Sequence, residues 1–191
     1  VLYANQDHEL TGDSNTNLPA PEGEVLLQLL HLNFITLSTV VAKKDCIIKA
    51  GMFDTSPQKL GLEDWDMWLR LSTEYQVRAV HQPVAVYRKP EKNSGQWYSD
   101  IGRQYSLAAG AYRKKWFHLP GVKTKLGERY RATRKKILMH TSDVIIYGAL
   151  NNSKSVLEKG NRFISAVKCW PQNLFRINFY KAVAKGILNR Q

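Results

Sequence analysis

Apolar and polar positions along the chain follow two different periods. "VLYAN" opens as a short apolar strand, and "QDHELTGDSNTNLPAPEGE" after it is dense in Asn, Asp, Gly and Pro, which predicts a loop. From Val25 to Leu32 the spacing is helical. "ITLSTVVA" then returns to β-branched residues and predicts a strand, and "KKDCIIKAG" predicts a short helix stopped by Gly51. "EDWDMWLRLSTEY" reads as another helix, with Trp65, Trp68, Leu69 and Ser72 at i, i+3, i+4 and i+7 forming one buried stripe. "QVRAVHQPVAVYR" predicts two short strands broken at Pro83.

Beyond Trp97 the pattern is helical throughout. "SDIGRQYSLAAGAYRKKWF" offers Ser99 as a cap, "LGERYRATRKKILMHTSDVIIYGAL" is long and basic, and "NRFISAVKCW" and "NLFRINFYKAVAKGIL" flank Pro171. The elements therefore predict an α/β sheet-and-helix region followed by an all-α region.

Charge sharpens this division. Residues 1–96 carry 9 Lys and Arg against 12 Asp and Glu, whereas residues 97–191 carry 19 against 4. A basic second region is attracted to phosphates of lipid or nucleic acid, or to an acidic protein surface. We place the boundary near Gln96, giving regions 1–96 and 97–191.

At 191 residues and 43% apolar the chain is long and apolar enough to fold around a core. Cys46 and Cys169 lie far apart with no metal-ligand spacing, which suggests neither a disulfide framework nor a zinc site and predicts a reducing, cytoplasmic setting. The longest uncharged run, Val25 to Ala42, contains Gln28, His31 and Asn33 and is too polar to span a bilayer. No secretory leader pattern opens the chain. It begins at Val1 inside a strand-like stretch, and we expect it to be a piece of a longer protein.

Three carboxylates, Glu63, Asp64 and Asp66, crowd among the apolar residues of "GLEDWDMWLRL". Glu63 and Asp64 fall in the first helical turn, where free amides and the macrodipole favour negative charge by about 0.3–1 kcal/mol. Asp66 and Arg70, at i and i+4, predict a surface ion pair of about 0.3–0.5 kcal/mol. "DWD" does not make a cation clasp, because side chains two apart on a helix diverge by about 200°. Asp7 and Glu9, in "DHE" after the first strand, offer oxygen ligands for Mg²⁺ or Mn²⁺ or simply a solvated loop.

"NFITLSTVVAKKDCIIKAGMFDTSPQKLGLEDWDMWLRLSTEYQVRAVHQPVAVYRK" resembles the acceptor-side half of the family 2 glycosyltransferases of GT-A fold. That family shows a Ser-Thr-Val strand, a Gly-Gly-Phe-Asp turn, a Glu-Asp-Trp-Asp-x-Trp-x-Arg helix and a closing Tyr-Arg strand, and the four pieces follow in register over residues 1–96. The resemblance implies inverting transfer of a sugar from a nucleotide-diphosphate donor to a hydroxyl of a glycan or lipid-linked acceptor, in polysaccharide, glycolipid or cell-envelope glycan synthesis. Asp64 matches the family's catalytic base and Glu63 the residue before it. A positioned carboxylate suits that task, since general-base catalysis of a hydroxyl contributes about 10²- to 10⁴-fold.

Three further residues carry two readings each. Trp65 stacks on an acceptor sugar or belongs to the core; Asp54, in "GMFD", faces the acceptor or stabilises its own turn. Arg88, in "VYRK", approaches donor phosphates or ends a surface strand.

The chain also departs from the family. Met52 replaces the second turn glycine, and Pro90 stands where a metal-assisting His often follows the Tyr-Arg pair. The family's nucleotide-binding half and its Asp-x-Asp motif, which would hold Mg or Mn, should precede "VLYAN". We therefore expect a fragment that lacks the donor-binding half and does not turn over alone.

In the second region, "RKK" at 113–115 and 134–136 with Trp116, Phe117, Tyr130 and Tyr147 nearby predicts an interfacial surface facing anionic lipid, and so a peripheral location at the inner face of a membrane. A solvated helical face is the plain alternative. The competing class is a non-catalytic basic helical module that binds nucleic acid, anionic membrane or a protein partner; with no reader motif present, nucleic acid is not the expected ligand.

Overall fold

The computed structural model describes residues 2–4, 7, 9–13, 20–56, 61–88, 101–151 and 155–175. The chain divides into two compact units, Val1–Gln96 and Trp97–Gln191. The first combines short helices with a small mixed sheet, and the second is helical among the described residues.

In the first unit β1 (Leu2–Ala4) is the middle strand of three. It pairs antiparallel with β2 (Leu10–Asp13), and Tyr3 faces Gly12 before the register shifts. On its other side it pairs parallel with β3 (Val86–Arg88), where Tyr3 meets Tyr87 ring edge to face at 6.2 Å. Strand β2 lies inside the segment expected to be loop: "LTGD" carries little strand signal of its own and is ordered by pairing with β1. "ITLSTVVA" is not a strand. It holds a 3-10 turn at Leu37–Thr39, pairs with no described strand, and leaves Val41 fully exposed. Of the two strands expected around Pro83, only β3 forms; Val77 makes a single bridge to Gly23.

The helices of this unit are α1 (Leu26–His31), α2 (Lys44–Lys49) and α3 (Glu63–Glu74). Gly51 at φ 87° ends α2, a left-handed position that glycine takes without cost. Trp65, Trp68, Leu69 and Ser72 are buried as one stripe on α3, with Met67 beside them, and α1 supplies Val25, Leu26, Leu29 and Leu30 to the same core. Each fully buried large side chain contributes about 1.5–3 kcal/mol.

In the second unit α4 (Ile101–Lys114), α6 (Tyr130–Asn151) and α7 (Val156–Cys169) pack against one another. Between α4 and α6 the chain makes a 3-10 turn at Trp116–His118, a short helix α5 (Pro120–Leu126) and a second 3-10 turn at Gly127–Arg129. Pro120 starts α5 at a position where its missing N–H costs nothing. Helix α7 begins earlier than the sequence pattern predicts, because Ser155 caps it by accepting from Glu158 N at 3.1 Å. The expected Ser99 cap, Pro90 and the helix beyond Phe175 lie outside the described residues.

Of the four aromatic residues expected at an interface, Trp116 and Phe117 serve this core, Tyr130 is half-buried and Tyr147 is exposed. Tyr112, Trp116 and Phe117 are buried together, with the Tyr112 and Trp116 rings edge to face at 4.9 Å. A buried polar group ties the end of α7 to α6: Asn173 Nδ2 donates to Ser142 Oγ, which donates to Ala166 O at 2.8 Å. No described helix is long and apolar enough to cross a membrane.

Candidate active site at the start of the third helix

The core creates the site from two helix ends. Trp65 is 2% exposed, and its indole Nε1 donates to Leu29 O at 2.6 Å, capping a carbonyl that the last turn of α1 leaves unpaired. That bond fixes the end of α1 against the start of α3. Asn33, just past α1, is thereby carried to Asp64, and its Nδ2 donates to Asp64 Oδ2 at 3.2 Å. Asp64 Oδ1 accepts from Trp65 N at 2.6 Å. The carboxylate is half-buried and held by a donor on each oxygen.

Burial pushes the Asp64 carboxyl above its ordinary range. The Trp65 amide and Asn33 pull it down, and the neighbouring Glu63 pushes it up again, with burial the strongest influence. A helix N-terminus favours the charged form, but loss of water outweighs its donors in setting the direction of the shift. The result is a carboxylate with raised proton affinity, oriented by two hydrogen bonds.

Glu63 serves its own turn: Oε2 accepts from Gly61 N at 2.6 Å, bracing the loop before α3 where the N-cap Leu62 has no polar side chain. Asp66 and Arg70 overturn the expectation of a surface pair. Asp66 is 0% exposed, and Arg70 Nε donates to its Oδ2 at 3.0 Å. The rest of the guanidinium donates to Ala50 O and, at 2.7 Å, to Met52 O, so the pair anchors the turn after α2 to α3. Burial makes its integrity far more important than a solvated i,i+4 pair would be.

The other expected residues separate. Trp65 belongs to the core and has no face free for an acceptor sugar. Asp54 Oδ1 accepts from Ser56 N at 3.1 Å, which is the turn-stabilising role. Arg88 ends β3, and the donor-phosphate role expected of it rests on a side chain outside those described. A cavity of 210 Å³ lined by Lys49, Ala50, Arg70, Thr73, Glu74 and Tyr75 flanks the far end of α3, about 15 Å along the axis from Asp64.

No cluster suited to a divalent cation forms among the described residues. Asp64 is engaged by Asn33 and Trp65, Asp66 by Arg70, and among the described residues no three His, Cys, Asp or Glu side chains gather. Cys46 and Cys169 are both free thiols, half-buried and buried respectively.

Asn33 is the residue that sequence reading missed. Its Nδ2 faces Asp64 while its Oδ1 is buried without a partner. The only hint in the sequence is an amide between two apolar stretches, "HLNFI".

No family model, curated protein or solved structure matches this chain.

Proposed function

We propose that the chain is the acceptor-side half of a GT-A inverting glycosyltransferase, with Asp64 as its general base. The observation that carries this reading is the carboxylate itself: half-buried, held at both oxygens and raised in proton affinity. A base works best when its pKa approaches the operating pH and its geometry is fixed before substrate arrives. Asp64 takes the proton of an acceptor hydroxyl as that oxygen bonds to the anomeric carbon, and the bond from that carbon to the nucleoside diphosphate breaks, releasing the diphosphate. The acceptor is a glycan or lipid-linked sugar. In this reading the nucleotide-diphospho-sugar and any Mg²⁺ or Mn²⁺ are held by residues outside this chain, and no step at Asp64 passes through a metal. The buried Asp66–Arg70 pair keeps α3 in place and takes no part in the chemistry.

Two measurements test the reading. Calorimetry of this chain with a panel of nucleotide sugars and Mn²⁺ is expected to give no micromolar binding. In the longest form of the protein that expresses, Asp64→Asn is expected to lower sugar transfer about 10²- to 10⁴-fold with folding intact. Transfer that survives the exchange overturns the assignment.

A further inference from the structure

Residues 113–136 hold ten lysines and arginines and one acid, Glu128. The fold gathers them at one end of the helical unit. Arg113 and Lys114 close α4, Lys123 stands on α5, Arg129 lies in the turn that follows, and Arg131 and Lys135, one helical turn apart, begin α6. All six are exposed. Contacts between the segments show that they converge. Tyr130 Oη donates to Phe117 O at 2.7 Å, and the Arg134 guanidinium lies 5.9 Å from the Phe117 ring centre. His118 Nε2 lies 3.0 Å from Arg113 O. Arg113 and Arg134 both act on the Cys169 thiol at the end of α7.

Helix stability does not account for this arrangement. Cations at the end of α4 suit its dipole, but Arg131 begins α6 at the positive end of the axis, and no acid lies in that first turn. No ion pair among the described residues engages any of the six. Such crowding of like charge destabilises the folded state and is relieved by an external polyanion. The chemistry of that polyanion follows from what the surface lacks. Trp116 and Phe117, 0% and 1% exposed, are in the core, the Tyr130 ring is half-buried and packs edge to face on Phe117 at 6.2 Å, and the exposed Tyr147 stands about 24 Å along α6 from Arg131, so the patch itself presents no open ring for bases to stack on. Diffuse positive charge without a stacking platform matches the headgroup plane of an anionic bilayer.

We propose that this end of the second unit docks on anionic lipid by charge alone, without inserting an aromatic anchor. The proposal is independent of the sugar-transfer reading, and either stands if the other fails. The test is sedimentation of the whole chain with phosphatidylcholine vesicles, with and without about a third phosphatidylglycerol. Binding is expected only with the anionic lipid and is expected to vanish at roughly 1 M salt, where the screening length falls to about 3 Å. Joint exchange of Lys123, Arg131 and Lys135 to Gln is expected to lower partitioning about 100-fold, at roughly fivefold per charge, with helical content and melting unchanged or improved. Equal binding to neutral vesicles, binding that persists in high salt, or a triple variant that binds like the parent overturns it. So does a random-sequence RNA oligonucleotide that binds more tightly per phosphate than the vesicles do.

Discussion

Asn33 donates through Nδ2 to Asp64 Oδ2 at 3.2 Å, joining the end of one helix to the beginning of another across 31 residues of chain. Its Oδ1 is buried unpartnered, a cost of about 1–3 kcal/mol that an apolar side chain would avoid. The amide is thus a poor choice for packing and a good one for orienting a carboxylate. Asn33→Ala is expected to raise the Asp64 pKa further, because a donor to the ionised form is lost. Carboxyl-carbon NMR titration reads that shift directly; an unmoved titration denies Asn33 the role.

The raised Asp64 pKa also sets a dependence of stability on pH. Between the unfolded value, near 3.8, and the higher folded one, the folded state binds more protons than the unfolded state. Stability from this group is therefore greatest at and below the unfolded pKa and declines as pH rises through the folded pKa. Asp64→Asn removes the penalty of an ionised, half-buried carboxylate. It is expected to melt higher than the parent at pH 7, with the advantage shrinking toward about pH 4. Asn33, which carries both a donor and an acceptor, is able to turn over and pair with the new amide. A variant that melts lower at pH 7 contradicts the dominance of burial.

Arg70 makes a different kind of contact. Arg70→Met takes the guanidinium from Asp66 at 0% exposure and from Ala50 O and Met52 O, so a loss of about 3–5 kcal/mol is expected in urea unfolding of the chain. Arg70→Lys recovers only part of that, since one ammonium cannot serve a carboxylate and two carbonyls in the same planar fork. A loss below about 1 kcal/mol would return the pair to the solvated class first expected of it.

Met52 sits at φ 56°, a left-handed conformation that costs a residue with a Cβ about 1–2 kcal/mol. Its side chain is 59% exposed and contributes little packing. Met52→Gly is expected to stabilise the chain by about 0.5–1 kcal/mol, the strain relieved less the extra flexibility of the unfolded glycine. Destabilisation in the same urea assay would mean that the methionine packs more productively than its exposure indicates.

Much of this architecture was legible wherever a segment carries its own signal. The apolar stripe of α3 follows from Trp65, Trp68, Leu69 and Ser72, the stop of α2 from Gly51, and α6 from a long basic run without Gly or Pro breakers between Tyr130 and Tyr147. Strands were harder to read because pairing decides them: "LTGD" becomes β2 beside β1, while "ITLSTVVA", richer in β-branched residues, stays without a described partner. Pro120 and the Ser155–Glu158 cap were visible signals for α5 and the early start of α7, yet they compete with many similar ones in a polar stretch. The depth of the Asp66–Arg70 pair and the approach of Asn33 to Asp64 have no local signature, since both depend on which surfaces the fold brings together.

Arg70 grips the turn after α2 through the carbonyls of Ala50 and Met52, atoms that every amino acid supplies. The shape of that corner is therefore held from outside as well as by Gly51, and at Met52 it does not rely on the side chain. Substitutions there alter its energy while leaving its path intact, which is how a methionine comes to occupy a bend that a bare backbone would take more easily.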